Sequence, residues 1–295
     1  MAPPAVPELP EVETVRRDIE AVYLGDRLLS LEVSGPRTVR RHPAPLLRQL
    51  EGLELTGTAR WGKYLMLEWS GERRLVVHLR MSGQLRHAAE GSELAPHTHA
   101  VLRFAHQGEL RFVDPRTFGE MFLPGLSGAP GARLAPVAAG TDVVCGPLEA
   151  ELAHMGPDAL QAGAAHLAAR LAGRRAPLKA LLTDQRVVAG IGNIYADEIC
   201  FAAGVRPDRC GGDVKPAQVC RLAASTVEVL SRAIEARGST LADRQYCDLF
   251  GRPGSFQSQH SVYGRAGAPC AVCGRPIEQV SFGARRAYLC RRCQR

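Results

Sequence analysis

Two Cys-x2-Cys pairs, Cys270–Cys273 and Cys290–Cys293, lie 16 residues apart, and Gly274 follows the second cysteine directly. Four cysteines at this spacing can set four thiolates at the corners of a tetrahedron, where zinc takes sulfur at about 2.3 Å. All four positions are then filled by protein, so one Zn2+ is expected as a structural ion with no position left for water or substrate. Between the pairs, Ile277–Val280 and Ala287–Leu289 read as two short strands around Ser281, Phe282 and Gly283, a zinc ribbon-like hairpin. The alternative, four unliganded thiols, fits poorly with a reducing compartment, where clustered cysteines serve as ligands. Cys145, Cys200, Cys210, Cys220 and Cys247 share no such spacing and read as core or surface thiols, and nine cysteines cannot all pair as disulfides.

The hairpin carries charge. From Val262 to Arg295 there are seven arginines against one acid, Glu278, a formal +6 in 34 residues. A charge run is usually a solvated face, but here a folded module presents it. With the chain's net charge of +7 it points weakly to a polyanionic partner. No apolar run approaches the roughly 20 residues that a membrane span needs. Met1–Glu13 has neither the basic start nor the apolar core of a secretory signal, so a cytoplasmic protein without membrane association is expected.

Upstream, two regimes of hydrophobic periodicity divide the chain. Pro10, Glu11 and Glu13 suit a helix start, Val12, Val15, Ile19 and Val22 mark one apolar face, and Gly25 suits its end. Short β patterns follow at 28–33, 55–60, 64–69, 75–79, 100–104 and 109–113, with Gln107-Gly108 turning between the last two. This spacing predicts an antiparallel sandwich over 7–123. Residues 124–142, rich in Gly, Ala and Pro, read as a linker. Over 143–261 the period becomes helical, with helices expected at 148–155, 159–172, 177–184, 193–203 and 216–237. Arg186–Asn193 is too glycine-rich for helix and reads as a double turn whose N–H groups could approach a phosphate. Residues 240–261 form a long loop before the zinc module at 262–295. The fold class expected is α+β.

The segment Pro7-Glu8-Leu9-Pro10-Glu11-Val12-Glu13-Thr14 resembles the N-terminus of bacterial formamidopyrimidine-DNA glycosylases. The likeness continues in register through Gly62–Leu65, His78–Gly83, His97–His99, Asp114–Gly119, Gly190–Tyr195, Val262–Arg265 and the four zinc cysteines. It implies an N-terminal β-sandwich, a helix-two-turn-helix domain and a zinc finger. It also implies a monomeric enzyme that excises oxidised purines, chiefly 8-oxoguanine opposite cytosine and formamidopyrimidines, from damaged double-stranded DNA and nicks the strand by β,δ-elimination. By the same resemblance, the Pro7 amine is the nucleophile, Glu8 the acid/base, Lys63 sits near the scissile sugar and phosphate, and Arg285 contacts phosphates and assists elimination. Met81, Arg116 and Phe118 fill the hole left by the flipped base. His97, Arg175, Lys179 and Asn193 contact phosphates or the lesion, and the 240–261 loop closes over the extruded base.

The chemistry accounts for the residue types. An amine must attack C1′ of a flipped nucleotide, and an N-terminal proline supplies a secondary amine of low basicity. With Met1–Val6 attached, the Pro7 nitrogen is a tertiary amide without a usable lone pair, so the working form is expected to begin at Pro7. A start at Val6, read as initiator methionine and trimmed, or proteolysis of six residues would both achieve this. Of 34 arginines and three lysines, at 63, 179 and 215, two lysines fall on matched positions. On the residues alone, Met81 reads first as core, Phe118 could be ordinary sandwich core, His99 reads as structural, and Glu8, Glu11 and Glu13 read as complements to a helix dipole. The family match selects a catalytic role for Glu8, keeps the dipole role for Glu13 and leaves Glu11 open. The chain departs from the pattern at Pro96 and Thr98 beside His97, at Ala284 and Ala287 in the finger, and in the length of 244–256.

Overall fold

In the computed structural model the residues described are 6–124, 152–242, 245–282 and 285–295. Most of the expected linker 124–142, the first half of the helix expected at 148–155, and residues 243–244 of the long loop lie outside them.

Helix α1 (Leu9–Tyr23) has Glu8 as its N-cap residue, and Gly25 just beyond it is left-handed (φ 81°). Eight strands then build two four-stranded antiparallel sheets. One has the order β1 (Leu28–Val33), β6 (Thr98–Phe104), β7 (Glu109–Val113), β5 (Gln84–Ala88). The other has the order β2 (Leu55–Trp61), β3 (Tyr64–Trp69), β4 (Arg73–His78), β8 (Glu120–Phe122). Leu31, Leu65, Leu67, Leu75, Val77, Leu85, Leu102 and Phe112 meet between them in one core, which Val12, Val15 and Ile19 of α1 extend. The sheets hold two strands not expected from the sequence, β5 and β8. β5 buries a single apolar side chain, Leu85, and β8 is three residues long, so neither displays a period of two.

The helical half contains α2 (Ala164–Leu171), α3 (Leu178–Leu182), α4 (Asn193–Ala202) and α5 (Pro216–Glu235). The helix expected from Ala159 starts five residues later. Asp158 is wholly buried and binds elsewhere, and Ala159 N–H donates to Ala189 O (2.9 Å) instead of entering a helix. In the zinc module β9 (Glu278–Phe282) pairs with β10 (Arg285–Leu289), so Ser281 and Phe282, expected in the turn, belong to the strand.

α1 serves both halves. Val12, Val15, Ile19 and Tyr23 pack in the sandwich core, whereas Leu9, one turn earlier, packs with Val188, Ile191 and Tyr195 of the helical half. The N-terminal turn of α1 is therefore set at the seam between them.

A candidate active site at the seam

Glu8 is buried, and its carboxylate lies at the N-terminus of α4. It accepts N–H bonds from Gly192 (2.6 Å), Ile194 (2.9 Å) and Tyr195 (3.5 Å). A Cβ on residue 192 would fall 2.3 Å from the Glu8 carboxyl carbon, so only glycine admits this approach. The double turn was expected to offer these N–H groups to a phosphate. They hold the chain's own carboxylate instead, the same helix-end preference for an anion met from within. Asn193, at the first position of α4, keeps its side chain exposed.

Glu11 reaches back to accept the Glu8 N–H (2.9 Å), and also accepts Tyr195 Oη–H (2.6 Å) and Ser239 N–H (2.7 Å). It thereby ties α1 to α4 and to the segment after α5. Burial, reinforced by the Glu8 charge, pushes its pKa up to about 7. Burial also raises Glu8, against the charge of Lys63 and the three N–H donors. Lys63 moves the other way: burial lowers it, while Glu8 and Glu11 hold it up. A carboxyl that directly follows buried Pro7 and the amine whose charge acts on it are thus brought towards each other in acidity.

Lys63 stands with Gly62 in the two-residue turn between β2 and β3, where Gly62 is left-handed (φ 58°) and a Cβ would press within 2.8 Å of Ala189. The turn is held across the seam by Asp158. Its carboxylate accepts Gly62 N–H (2.9 Å) and the guanidinium of Arg60 (2.5 Å), and Arg60 also donates to Gly62 O (2.9 Å) and to Glu13 (3.1 Å). Arg60 and Asp158 are fully buried. Glu13 is therefore not a helix-dipole residue. Although burial works to raise it, Arg16, Arg60 and Arg17 hold its pKa down to about 2. The sequence signal for this cluster is an arginine in an otherwise half-apolar strand, and it is faint.

A second group of matched residues projects from one end of the sandwich. Met81 is half-buried, Arg116 exposed, and Phe118 38% exposed, so neither Met81 nor Phe118 is sandwich core. The Arg116 guanidinium lies 5.0 Å from the centroid of the Phe118 ring. Asp114 joins their loops: its carboxylate accepts the Ser82 hydroxyl, Arg116 N–H (3.2 Å) and Gly119 N–H (2.7 Å). His97 is exposed and left-handed (φ 65°), with its carbonyl accepting Asp114 N–H (3.0 Å). His99 Nε2 bonds to Asp114 O (2.9 Å), a structural role as expected. Arg175 is exposed between α2 and α3.

Lys179 is a correction. It is fully buried, and its Nζ donates to Asp197 (2.8 Å) and to Arg286 O (2.6 Å), so its charge does not reach a phosphate. Asp197 also accepts Tyr288 N–H (3.0 Å), and Glu198 accepts N–H from Ser261 (2.8 Å), Val262 (3.0 Å) and Tyr263 (2.8 Å). Two adjacent acids of α4 thus fasten the zinc module. The Arg285 side chain lies outside the described parts of the chain.

The Sγ atoms of Cys270, Cys273, Cys290 and Cys293 lie within 4.8 Å of one another, with Cys270–Cys293 at 3.9 Å and Cys273–Cys290 at 3.4 Å. The edge of a zinc–thiolate tetrahedron is about 3.8 Å for bonds of about 2.3 Å, so this donor set fits one structural zinc. No helix among the described residues is long and apolar enough to cross a membrane.

Residues 245–261 are more firmly seated than a free loop. Tyr246 and Leu249 lie in the sandwich core, Leu249 O accepts His87 N–H (2.8 Å) from β5, and Asp248 and Asp18 share Arg237 (2.7 and 2.5 Å).

Residues 6–121 match the formamidopyrimidine-DNA glycosylase N-terminal domain, 155–245 its H2TH domain, and 267–295 a zinc finger found in FPG and IleRS. A formamidopyrimidine-DNA glycosylase of Moorella thermoacetica is 43% identical over 93% of this chain and 94% of its own. The crystal structure of MutM (Fpg) from Thermus thermophilus superposes with a TM-score of 0.80 at 37% identity, covering 98% of each chain. A Lactococcus lactis Fpg mutant, in complex with a Fapy-dG containing DNA, gives 0.81 at 29% identity over 98% of this chain and 99% of that one. The chain therefore belongs to the formamidopyrimidine-DNA glycosylase family, DNA-binding base excision repair enzymes with glycosylase and AP lyase activity.

Proposed function

We propose that this enzyme excises 8-oxoguanine opposite cytosine and formamidopyrimidines from duplex DNA, using the Pro7 amine, and then nicks the strand by β,δ-elimination. The observation that carries the reading is the buried Glu8 carboxyl beside Lys63, adjoining Pro7 at the domain seam. The Pro7 lone pair attacks C1′ of the flipped nucleotide, the bond from C1′ to the base breaks, and opening of the sugar ring yields an iminium. Glu8 is the proton donor to the opening ring. Burial raises its pKa and so favours the protonated form, and the N–H groups at the start of α4 stabilise the carboxylate left behind. It then takes and returns protons during elimination, in which Lys63 acts near sugar and phosphate and Arg285 has the role of phosphate contact that the family resemblance implies.

Such chemistry requires a free amine, so the working chain begins at Pro7. The N-terminal domain match beginning at residue 6 is in keeping with this. Met81, Arg116 and Phe118 enter the hole left by the base, Arg116 facing the orphaned cytosine and Phe118 wedging the stack. His97, Arg175 and Asn193, exposed on the surface, contact phosphates or the lesion. The 240–261 segment covers the extruded base. The enzyme acts as a cytoplasmic monomer, divided into a sandwich at 7–123, a linker at 124–142, a helical domain at 143–261 and the finger at 262–295.

The test is excision from otherwise identical duplexes carrying 8-oxoguanine opposite cytosine or thymine glycol. Faster release of 8-oxoguanine is expected, and a clear preference for the glycol would assign the chain to oxidised pyrimidines instead.

A further inference from the structure

The wedge loop Asp114–Gly119 is braced from within by Asp114, which accepts the N–H groups of Arg116 and Gly119. Thr117 is left-handed (φ 54°), an unfavourable conformation for a β-branched residue that its surroundings must enforce. The outer side of the loop presents two consecutive carbonyls, those of Phe118 and Gly119. A single nitrogen covers both: Nη2 of Arg40 donates to Phe118 O (2.7 Å) and to Gly119 O (2.9 Å).

Arg40 comes from far away in sequence. The segment 38–42 runs beside β8, where Thr38 O accepts Met121 N–H (2.8 Å) and His42 Nε2 accepts Leu123 N–H (2.8 Å). Glu120 lies near the guanidinium, 3.8 Å from Nε. Glu120 is also served by Arg41 (2.9 Å) and Arg80 (3.2 Å), so its charge does not depend on Arg40. Arg40 is exposed, and no buried core rests on it. Its hydrogen bonds to this loop go to the backbone of the residue whose ring would enter the stack and of the glycine that follows it.

We infer that Arg40 is a positioning residue for base-hole probing: it fixes the backbone of Phe118 so that the ring is presented outward, ready to wedge. The inference rests on the wedge role proposed above for Phe118. A charge-assisted hydrogen bond holding a loop costs nothing at the moment of insertion, because the loop need not be ordered then. Without it, the ring samples other positions and the cost of ordering falls on the lesion-recognition step.

A double-mutant cycle separates the two ideas. Excision of 8-oxoguanine from duplex DNA is compared for the full-length enzyme, Arg40→Ala, Phe118→Ala and the double variant. Each single change is expected to lower kcat/KM by roughly tenfold, and the double variant should be no worse than the less active single one. The slope of log binding constant against log salt should be unchanged by Arg40→Ala, whereas loss of a phosphate contact would reduce it by about one. In a Phe118→Trp background, Arg40→Ala should also increase acrylamide quenching of the new indole. Fully additive losses, a reduced salt slope, or an Arg40→Ala enzyme indistinguishable from the parent would overturn the assignment. A harmless Phe118→Ala would remove the wedge role itself, and the quenching result would then decide whether Arg40 holds the loop.

Discussion

Glu11 shows how a single buried carboxyl couples stability to pH. Its pKa, about 7 in the folded protein, is raised above the unfolded value, so the native state holds the extra proton between about pH 4.5 and 7. Its contribution is therefore fully present below the unfolded pKa and is lost as pH rises through the folded one. Glu11→Gln should flatten the fall in unfolding free energy across that window, a difference on the order of 3 kcal/mol against the parent at its upper end. Chemical denaturation at pH 5 and pH 8 measures it, and an identical pH dependence in both proteins would show that Glu11 does not carry the proton. Lys179 makes the complementary case. Lys179→Met leaves Asp197 buried without its ion pair and should cost about 3–5 kcal/mol of stability. The salt dependence of DNA binding by the folded fraction should not change; a shallower slope would return Lys179 to the phosphate contacts. Neither role was legible from residue type, because a lysine in a motif looks the same whether its ammonium faces solvent or an aspartate.

Elements were legible where they were long or regularly patterned. α1, α4, α5 and six of the eight sandwich strands stand where the periodicity put them, because half-buried elements repeat their apolar positions at the spacing of the backbone. β5 and β8 offered too few apolar residues to repeat, and residues 159–163 read as helix because alanine favours it, whereas the buried Asp158 dictates a turn. That turn matters more than its length suggests. Asp158→Ala would strand Arg60 among buried groups and release the Gly62-Lys63 turn. It should cost about 3–5 kcal/mol in stability. At a temperature where the variant is still folded, kcat should fall with little change in substrate affinity. An unaltered kcat would show that the turn holds Lys63 without help from across the seam. The zinc hairpin was the most legible element, since four cysteines at fixed spacing leave few alternatives. Stripping zinc with a chelator should loosen β9–β10 and weaken duplex binding with a reduced salt slope, as arginines of the module lose their arrangement. Binding that survives complete metal removal, measured by metal analysis alongside affinity, would make the module dispensable.

At the scale of the whole molecule, the two halves meet around the first turn of α1, and there the sequence alone was least informative. Leu9, Glu8, Glu11 and Glu13 are neighbours in the chain, yet they serve the helical core, the α4 N-terminus, the α5 exit and the Arg60 cluster respectively. A helix-dipole reading fits all three acids locally, and only the long-range partners distinguish them. The resemblance supplied the chemistry, while the geometry supplies a reason for the position: the seam buries the Glu8 carboxyl directly after Pro7 and sets the half-buried Lys63 within reach of its charge. The central claim is that Pro7 itself, as a free amine, forms the covalent intermediate. It is tested most directly by borohydride trapping on 8-oxoguanine duplex DNA, followed by mass mapping of the crosslinked peptide. The account predicts a reduced sugar adduct on Pro7 as the first residue of the chain. An adduct on any other residue, or active protein still carrying residues 1–6, would contradict it.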